Sequence, residues 1–419
     1  MLCQNHRVVD LSYVRVCQAL GVHKEMASFE AQWNSAAASF NPDGDWLPSP
    51  STAADFCRWM GMEEAVAQVV IDGVAEVCAH PALVMLSWQY YVALFAPTAI
   101  RPLPQVAWFN LPEALGHAGR MFQAAVILSG LPRFRHEHGQ RGIPEIITRS
   151  TLEGLELWMR NYRERFGQWG FDRGSWLMHH LCSRLVRLER LEFGLSFFNF
   201  DFTYFRQRAG ARQVLALADS GLLLREDGRF HSAQGTASTD HAWETELRCD
   251  DQAIEGYPVL DCNVVARHPV SLDPSEWEVV LRAGDPVLDI HIPSRGRLEP
   301  AACDDSIARA LAFFPRYFPE HSFKAFTCGS WLLDPQFAQH LPGSNIAAFA
   351  QRFHRLPAPE ANDNQIYVLG LGLSGRRPLE ELPRDTSLRR ALVAHLEKGG
   401  HWWYTNGIVL REAGGDGQK

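Results

Sequence analysis

The chain has 419 residues, 46% of them hydrophobic and 21% charged, a balance that excludes wholesale disorder and supplies enough apolar side chains for more than one core. Lys and Arg number 40 against 48 Asp and Glu, a formal charge of -8 with no long basic run, which argues against nucleic acid as a partner. No stretch offers about eighteen uncharged apolar residues for a membrane span, and the opening MLCQNHRVVDLSY lacks an apolar leader core, so a cytoplasmic protein with no membrane partner is expected.

In chain order, the first clear helix is SPSTAADFCRWMGMEEAVAQVVIDGVAEVCAH, with Thr52 as its cap and Asp55 three residues on in capping-box spacing. Pro81 ends that run, and ALVMLSWQYYVALF follows as a helix apolar on all sides, suited to the inside of a bundle. Asn110, Pro112 and Glu113 open a third, LPEALGHAGRMFQAAVILSG, because Asn caps, Pro suits the first turn and Glu favours the positive helix end. Further helices are predicted from Pro144 and after Asp172, the latter running through SWLMHHLCSRLVRLERLEF.

Beyond this point the texture is mixed. LEFGLSFFNF, GLLLREDGRFH and EWEVVLRAGDPVLDIHIP read as strands, and SFKAFTCGSWLLDPQFAQHLPGSNIAAFAQRF as a strand, a short helix capped by Asp334 and a helix after Ser344. QIYVLGLGL is strand-like, Thr386 or Ser387 starts the last helix, Gly399 ends it, and Asn406-Gly407 is read as a hairpin turn. The tail EAGGDGQK is expected to fray.

The nine cysteines (3, 17, 57, 78, 182, 249, 262, 303 and 328) are spread singly with no C-x-x-C, so neither a zinc ribbon nor a disulfide framework is expected. His136, Glu137 and His138 in RFRHEHGQ have no second cluster to complete a metal site, and GLGLSG lacks the βαβ setting of a dinucleotide loop.

The segments VLDIHIP, DDSIARALAFFPRYFP, CGSWLLDP and LPGSNIAAF, with the earlier SWLMHHLCSRLVRLERLEF, resemble the bacterial acyltransferase family built from an N-acyltransferase N-terminal helical domain and a GNAT-like C-terminal domain. The resemblance runs from about residue 143 to 411, while residues 1–142 share only helical character. It implies an α+β protein: an N-terminal helical domain over 1–142, a GNAT-like mixed-sheet domain over 143–411, and a flexible tail, 412–419. It implies an N-acyltransferase that passes an acyl group from acyl-CoA or acetyl-CoA directly to a small-molecule amine acceptor, without a metal. Two other donors or roles stay open: an acyl carrier protein as donor, and a non-catalytic GNAT-like binding module. A third alternative is a Cys328/His291 thioesterase.

The wider superfamily cradles the coenzyme A pyrophosphate in an Arg/Gln-x-x-Gly-x-Gly/Ala loop at a helix start. Here SRGRLEPAACDDS stands in that place, offering Gly296 for close approach and Arg295 and Arg297 for charge, with Asp304 and Asp305 near the helix entrance. Ser306 could reach a phosphate oxygen or bond back to its own helix. The resemblance also implies that the strand before the loop splays from its neighbour, so that a backbone N–H meets the thioester carbonyl.

The attacking amine has to be uncharged, and with a pKa of roughly 10.4 only about one molecule in a thousand or fewer is free base at pH 7, so a positioned base is useful. His291, at the end of VLDIHIP, is the candidate base; its alternative is a strand-end His bonded to a local carbonyl. Ser330 could bind the acceptor or reprotonate the leaving thiolate, or merely satisfy a turn. Cys328 suits a buried structural thiol better than a nucleophile, Trp331 suits a core, and Asp334 suits a cap.

Overall fold

The computed structural model describes residues 11–22, 25–42, 44–95, 106–230, 241–260, 264–294, 296–357 and 363–411. The chain forms two units, Met1–Arg187 and Leu188–Lys419.

The first unit is helical: α1 (Tyr13–Leu20), α2 (Ala27–Ala38), α3 (Pro50–Met60), α4 (Glu64–Ala79), α5 (Pro81–Phe95), α6 (Gly116–Ser129), α7 (Leu131–Gln140), α8 (Glu145–Thr151), α9 (Gly154–Phe166) and α10 (Gly174–Leu181). Ser49, not Thr52, caps α3: its side chain accepts from the Thr52 N–H and Pro50 fills the first helical position. α5 is buried around much of its circumference, as its apolar sequence predicts, and Tyr90 satisfies its hydroxyl on the Ala107 carbonyl at 2.7 Å. α4 and α6 pack closely because Gly73 has no side chain; a Cβ there would lie 2.5 Å from Met121 Cβ. No single helix among the described residues is long and apolar enough to cross a membrane.

The division falls at Arg187–Leu188, beyond the expected boundary at residue 142, because Leu152, Leu155, Met159 and Leu177 of the later helices are part of the first unit's core. The helix expected to run through LVRLERLEF stops at Leu181 instead. Ser183 and Glu189 have positive φ, 53° and 60°, and backbone in that region cannot continue a helix, so the apolar residues between and after them form strands.

Among the described residues the second unit holds two larger sheets and a two-stranded one, Leu223–Leu224 with Trp243–Glu244. Its principal strands are β1 (Leu191–Phe197), β2 (Phe202–Gln207), β3 (Val214–Ala218), β4 (Ile254–Leu260), β5 (Val270–Leu272), β6 (Trp277–Leu281), β7 (Pro286–His291), β8 (Ala325–Ser330), β9 (His354–Arg355) and β10 (Thr405–Leu410). β2 to β6 form an antiparallel sheet in the order β5-β4-β3-β2-β6, and the site lies in the other, ordered β1-β7-β8-β10-β9. β7 and β8 run parallel, which requires a crossover, and α11 (Pro300–Tyr317) supplies it. α12 (Phe337–His340), α13 (Asn345–Ala350) and α14 (Ser387–Glu397) complete the unit, with Ser344 and Thr386 capping the last two through their side-chain oxygens.

Two readings need correction here. Ile366–Gly370 is one turn of π-helix rather than a strand, its Ile366 and Tyr367 buried with Leu392, Val393 and Trp402. Asn406-Gly407 is no hairpin turn: both residues lie inside β10, where Gly407 pairs with Cys328 and Arg355. Glycine is needed there for packing, since a Cβ would come within 2.7 Å of the Phe353 side chain and 2.9 Å of Leu333. The expected fraying of 412–419 lies outside the described residues.

Candidate active site

β7 and β8 pair at three positions, Val287 with Ala325, Leu288 with Phe326 and Asp289 with Thr327, and there the ladder between them stops. Each strand continues on its outer side. β7 stays paired with β1 as far as His291 opposite Glu192, and β8 with β10 as far as Ser330 opposite Thr405. The sheet therefore opens down its middle while both halves remain hydrogen-bonded, and the facing edges past Asp289 and Thr327 no longer pair with each other.

Side chains alternate across a strand, so the register sets what faces this gap. Asp289 and His291 share one face with Glu192 and Gly194 of β1, Thr327 and Gly329 of β8 and Asn406 of β10. The opposite face carries Ile290 and Phe326 and lies under α11, whose Phe314 meets Phe193 at 6.3 Å between ring centroids; Phe193 meets Phe326 at 5.8 Å. α11 thus seals one side of the sheet, and the ionisable groups stand on the other.

Asp289 is the residue at which the strands part. Thr327 Oγ1 donates to its Oδ1 at 2.9 Å, the one hydrogen bond to this carboxylate among the described residues. Solvent reaches Asp289 although its chain neighbours Leu288 and Ile290 are buried. Protein crowding on its other sides nonetheless pushes its carboxyl from the usual 3.8 up to about 6, opposed by the Thr327 hydrogen bond. Burial, then the charges of Asp289 and Cys328, raise the Tyr404 phenol to about 12; its hydroxyl lies against Gly329.

His291 is half-buried at the end of β7, directly across from the buried Glu192. The loop that follows is held from outside. Arg190 donates to three of its carbonyls, from Nε to Arg297 at 2.8 Å, from Nη1 to Pro293 at 3.2 Å and from Nη2 to Gly296 at 3.4 Å. Gly296 needs its freedom there, with φ at 70°. Arg297 projects outward, 88% exposed and 3.8 Å from Glu299. Arg295 lies outside the described residues. The two aspartates that would repel a phosphate are each met by a cation, Asp304 by Arg352 at 2.8 Å and Asp305 by Arg309 at 2.7 Å.

Two expectations change, those for Ser306 and Ser330, while Cys328 takes the buried place read for it. Ser306 does not face the loop's outer surface: it is fully buried, accepts from the Arg190 and Leu191 N–H groups at 3.0 and 3.3 Å, and donates to the Ala302 carbonyl at 2.9 Å. Its hydroxyl is spent on the fold. Ser330 accepts from the Leu332 N–H at 3.1 Å and caps the single turn Trp331–Leu333, the structural alternative foreseen for it. Cys328 is buried, and burial followed by the Asp289 charge pushes its thiol well above the ordinary value, so the thiolate a thioesterase needs is disfavoured. Trp331 is core, as expected, whereas the helix Phe337–His340 starts from Gln336 with no side-chain cap, and Asp334 instead accepts from the Gln336 and Trp403 N–H groups.

Asp289, Arg190 and Tyr404 were not singled out from sequence. A signal existed for Asp289, since an acid inside the apolar run VLDIHIP, two residues before His291, shares its face by strand periodicity. Arg190 and Tyr404 gave none, because their roles depend on long-range packing.

A parallel strand pair that opens at its centre, joined by a helix that starts beside a cationic loop, is the frame of GNAT-type acyl transfer. Residues 185–409 match the model of the GNAT-like C-terminal domain and residues 51–183 that of the N-acyltransferase N-terminal domain. The chain belongs to this family and is a GNAT-like acyltransferase.

Among solved structures it is similar to an acyltransferase mutant in complex with octanoyl-CoA, at 25% identity and a TM-score of 0.66, over 95% of this chain and 98% of that one. An acyltransferase in complex with decanoyl-CoA and teicoplanin, and another complex with CoA and 10C-teicoplanin, each give 26% identity and a TM-score of 0.66 over 94% of this chain and 98% of theirs. Comparison with curated proteins gives no match.

Proposed function

We propose that the protein is an acyl-CoA-dependent N-acyltransferase that acylates a small-molecule amine by direct transfer within a ternary complex. The observation that carries this reading is the parting of β7 and β8 past Asp289 and Thr327 while both keep their outer partners. A thioester lying in that gap meets main-chain N–H groups, and such donors stabilise the oxyanion that forms on amine attack. His291, at the open end of β7, takes a proton from the amine.

The loop of Gly296 and Arg297, held by Arg190 at the start of α11, receives the phosphates. Free acyl-CoA is the donor preferred here over a carrier protein, because the similar solved acyltransferases hold octanoyl-CoA, decanoyl-CoA or CoA. Those donors also favour a medium acyl chain. A non-catalytic module has less support, since the open gap and the ionisable groups facing it are both present.

The test is thiol release from acetyl-, octanoyl- and decanoyl-CoA with and without a panel of primary amines. Amine-dependent release with formation of the amide is expected. Donor binding without release from any pair would defeat the reading.

A further inference from the structure

The face that looks into the gap carries carboxylates. The register places Asp289, His291 and Glu192 there, two carboxylates to one imidazole, with Gly194 opposite Asp289 so that no side chain stands beside its carboxylate on β1. An ionised carboxylate has room for about four hydrogen bonds. Asp289 receives one, from Thr327, and no cation is paired with it among the described residues. Its titratable neighbours are no remedy: Tyr404 and Cys328, the two groups whose ionisation its charge opposes, are both held in their neutral forms. A crowded carboxylate without a counter-charge is costly, and a bound cation would offset that cost.

Resting on the acyl-transfer reading, we infer that Asp289 is the seat of the acceptor's ammonium group, so that the enzyme collects its amine in the protonated form that dominates in solution and hands it to His291. The two residues are two apart on one strand, which sets their Cα atoms about 7 Å apart on the same face, close enough for one nitrogen to move from carboxylate to imidazole.

The steps balance. The ammonium R-NH3+ gives one proton to the His291 imidazole, the freed lone pair forms the C–N bond at the thioester carbon, and the C–S bond breaks with its electron pair on sulfur. The nitrogen loses a second proton to solvent and the imidazolium protonates the thiolate, leaving amide, CoA-SH and one released proton. Asp289 stays ionised throughout as a binding group. The inference narrows the substrate class: acceptors are basic primary amines, and weakly basic ones gain nothing from the seat.

The experiment compares wild type with Asp289→Asn, which keeps the size and the Thr327 contact, using decanoyl-CoA at pH 7.5. Benzylamine, protonated at that pH, should lose about tenfold or more in kcat/KM, mostly through KM, as expected for one charge-assisted hydrogen bond. Aniline, neutral at that pH, should change less than about twofold. Equal losses for both amines, or none for either, would overturn the inference. Asp289→Ser, checked by circular dichroism, replaces the Asn variant if that fails to fold.

If wild type binds decanoyl-CoA but acylates no amine, the acyl-transfer reading fails and the seat is read by calorimetry alone. Benzylamine should then bind wild type about tenfold tighter than benzyl alcohol, with the preference lost in Asp289→Asn. Equal binding of the two by wild type would refute the seat itself.

Discussion

Asp289 should cost the fold stability that its neutral replacement returns. Its carboxyl stands at about 6 in the folded protein against 3.8 when exposed, so folding favours the protonated form. Between these values the native state binds more protons than the unfolded chain, and stability therefore falls as pH rises through the window from 3.8 to about 6. The penalty is complete above it and absent below 3.8.

For an enclosed group the shift is equivalent to about 3 kcal/mol. Solvent reaches Asp289, and screening reduces the figure to about 1 kcal/mol. The two groups whose ionisation its charge opposes do not confuse the window, since the Tyr404 phenol, at about 12, and the Cys328 thiol, raised well above its ordinary value, both stay neutral across it, and His291 and Glu192 share its face in wild type and variant alike. Asp289→Asn should thus raise Tm by about 2–4 °C at pH 7.5, in differential scanning calorimetry without ligand, and leave it unchanged near pH 4. A Tm gain of the same size at both pH values, or a loss at pH 7.5, would refute the electrostatic account.

The remaining predictions concern the groups around the gap. His291→Gln should lower kcat by about 100- to 10,000-fold with little change in decanoyl-CoA affinity, read by thiol release and calorimetry, and should remove the acidic limb of the pH–rate profile. Arg190→Lys supplies a point charge where three carbonyls are now held, so the dissociation constant for decanoyl-CoA should rise about tenfold while urea stability changes little. Ser306→Ala leaves the Arg190 and Leu191 N–H groups without their acceptor and should cost about 1–3 kcal/mol in urea unfolding.

Much of the fold was legible in local sequence. The all-round apolar ALVMLSWQYYVALF is the buried α5, EWEVVLRAGDPVLDIHIP yields β6 and β7, and Ser344 and Thr386 cap the helices they precede. The failures share a cause, which is that tertiary context decided between local options. LVRLERLEF has helical spacing, yet positive φ at Ser183 and Glu189 turns it into strands. Asn406-Gly407 has hairpin chemistry, yet Gly407 lies flat in a sheet because Phe353 closes over it. The same holds within the site. His291 sits at the gap as its place in VLDIHIP implied, whereas nothing local to Ser306 shows that residues more than a hundred positions earlier would use up its hydroxyl.

The gap also explains why this reaction leaves so faint a trace in sequence. An oxyanion donor made from main-chain N–H is present whatever side chain the residue carries, so the strand edges past Asp289 can do their work with no residue signature. What the sequence can specify is the set of side chains facing the gap, and a period of two permits only every second position to do so. In β7 those positions are Val287, Asp289 and His291, apolar where the strands are paired and ionisable from the point of parting onward. The change from Val to Asp to His along one face therefore marks, in sequence, the line at which the sheet stops being a core and becomes the site proposed for acyl transfer. A strand of the same family with an apolar residue in place of Asp289 could open in the same way, but it would have no charge on that face with which to draw an ammonium toward the imidazole.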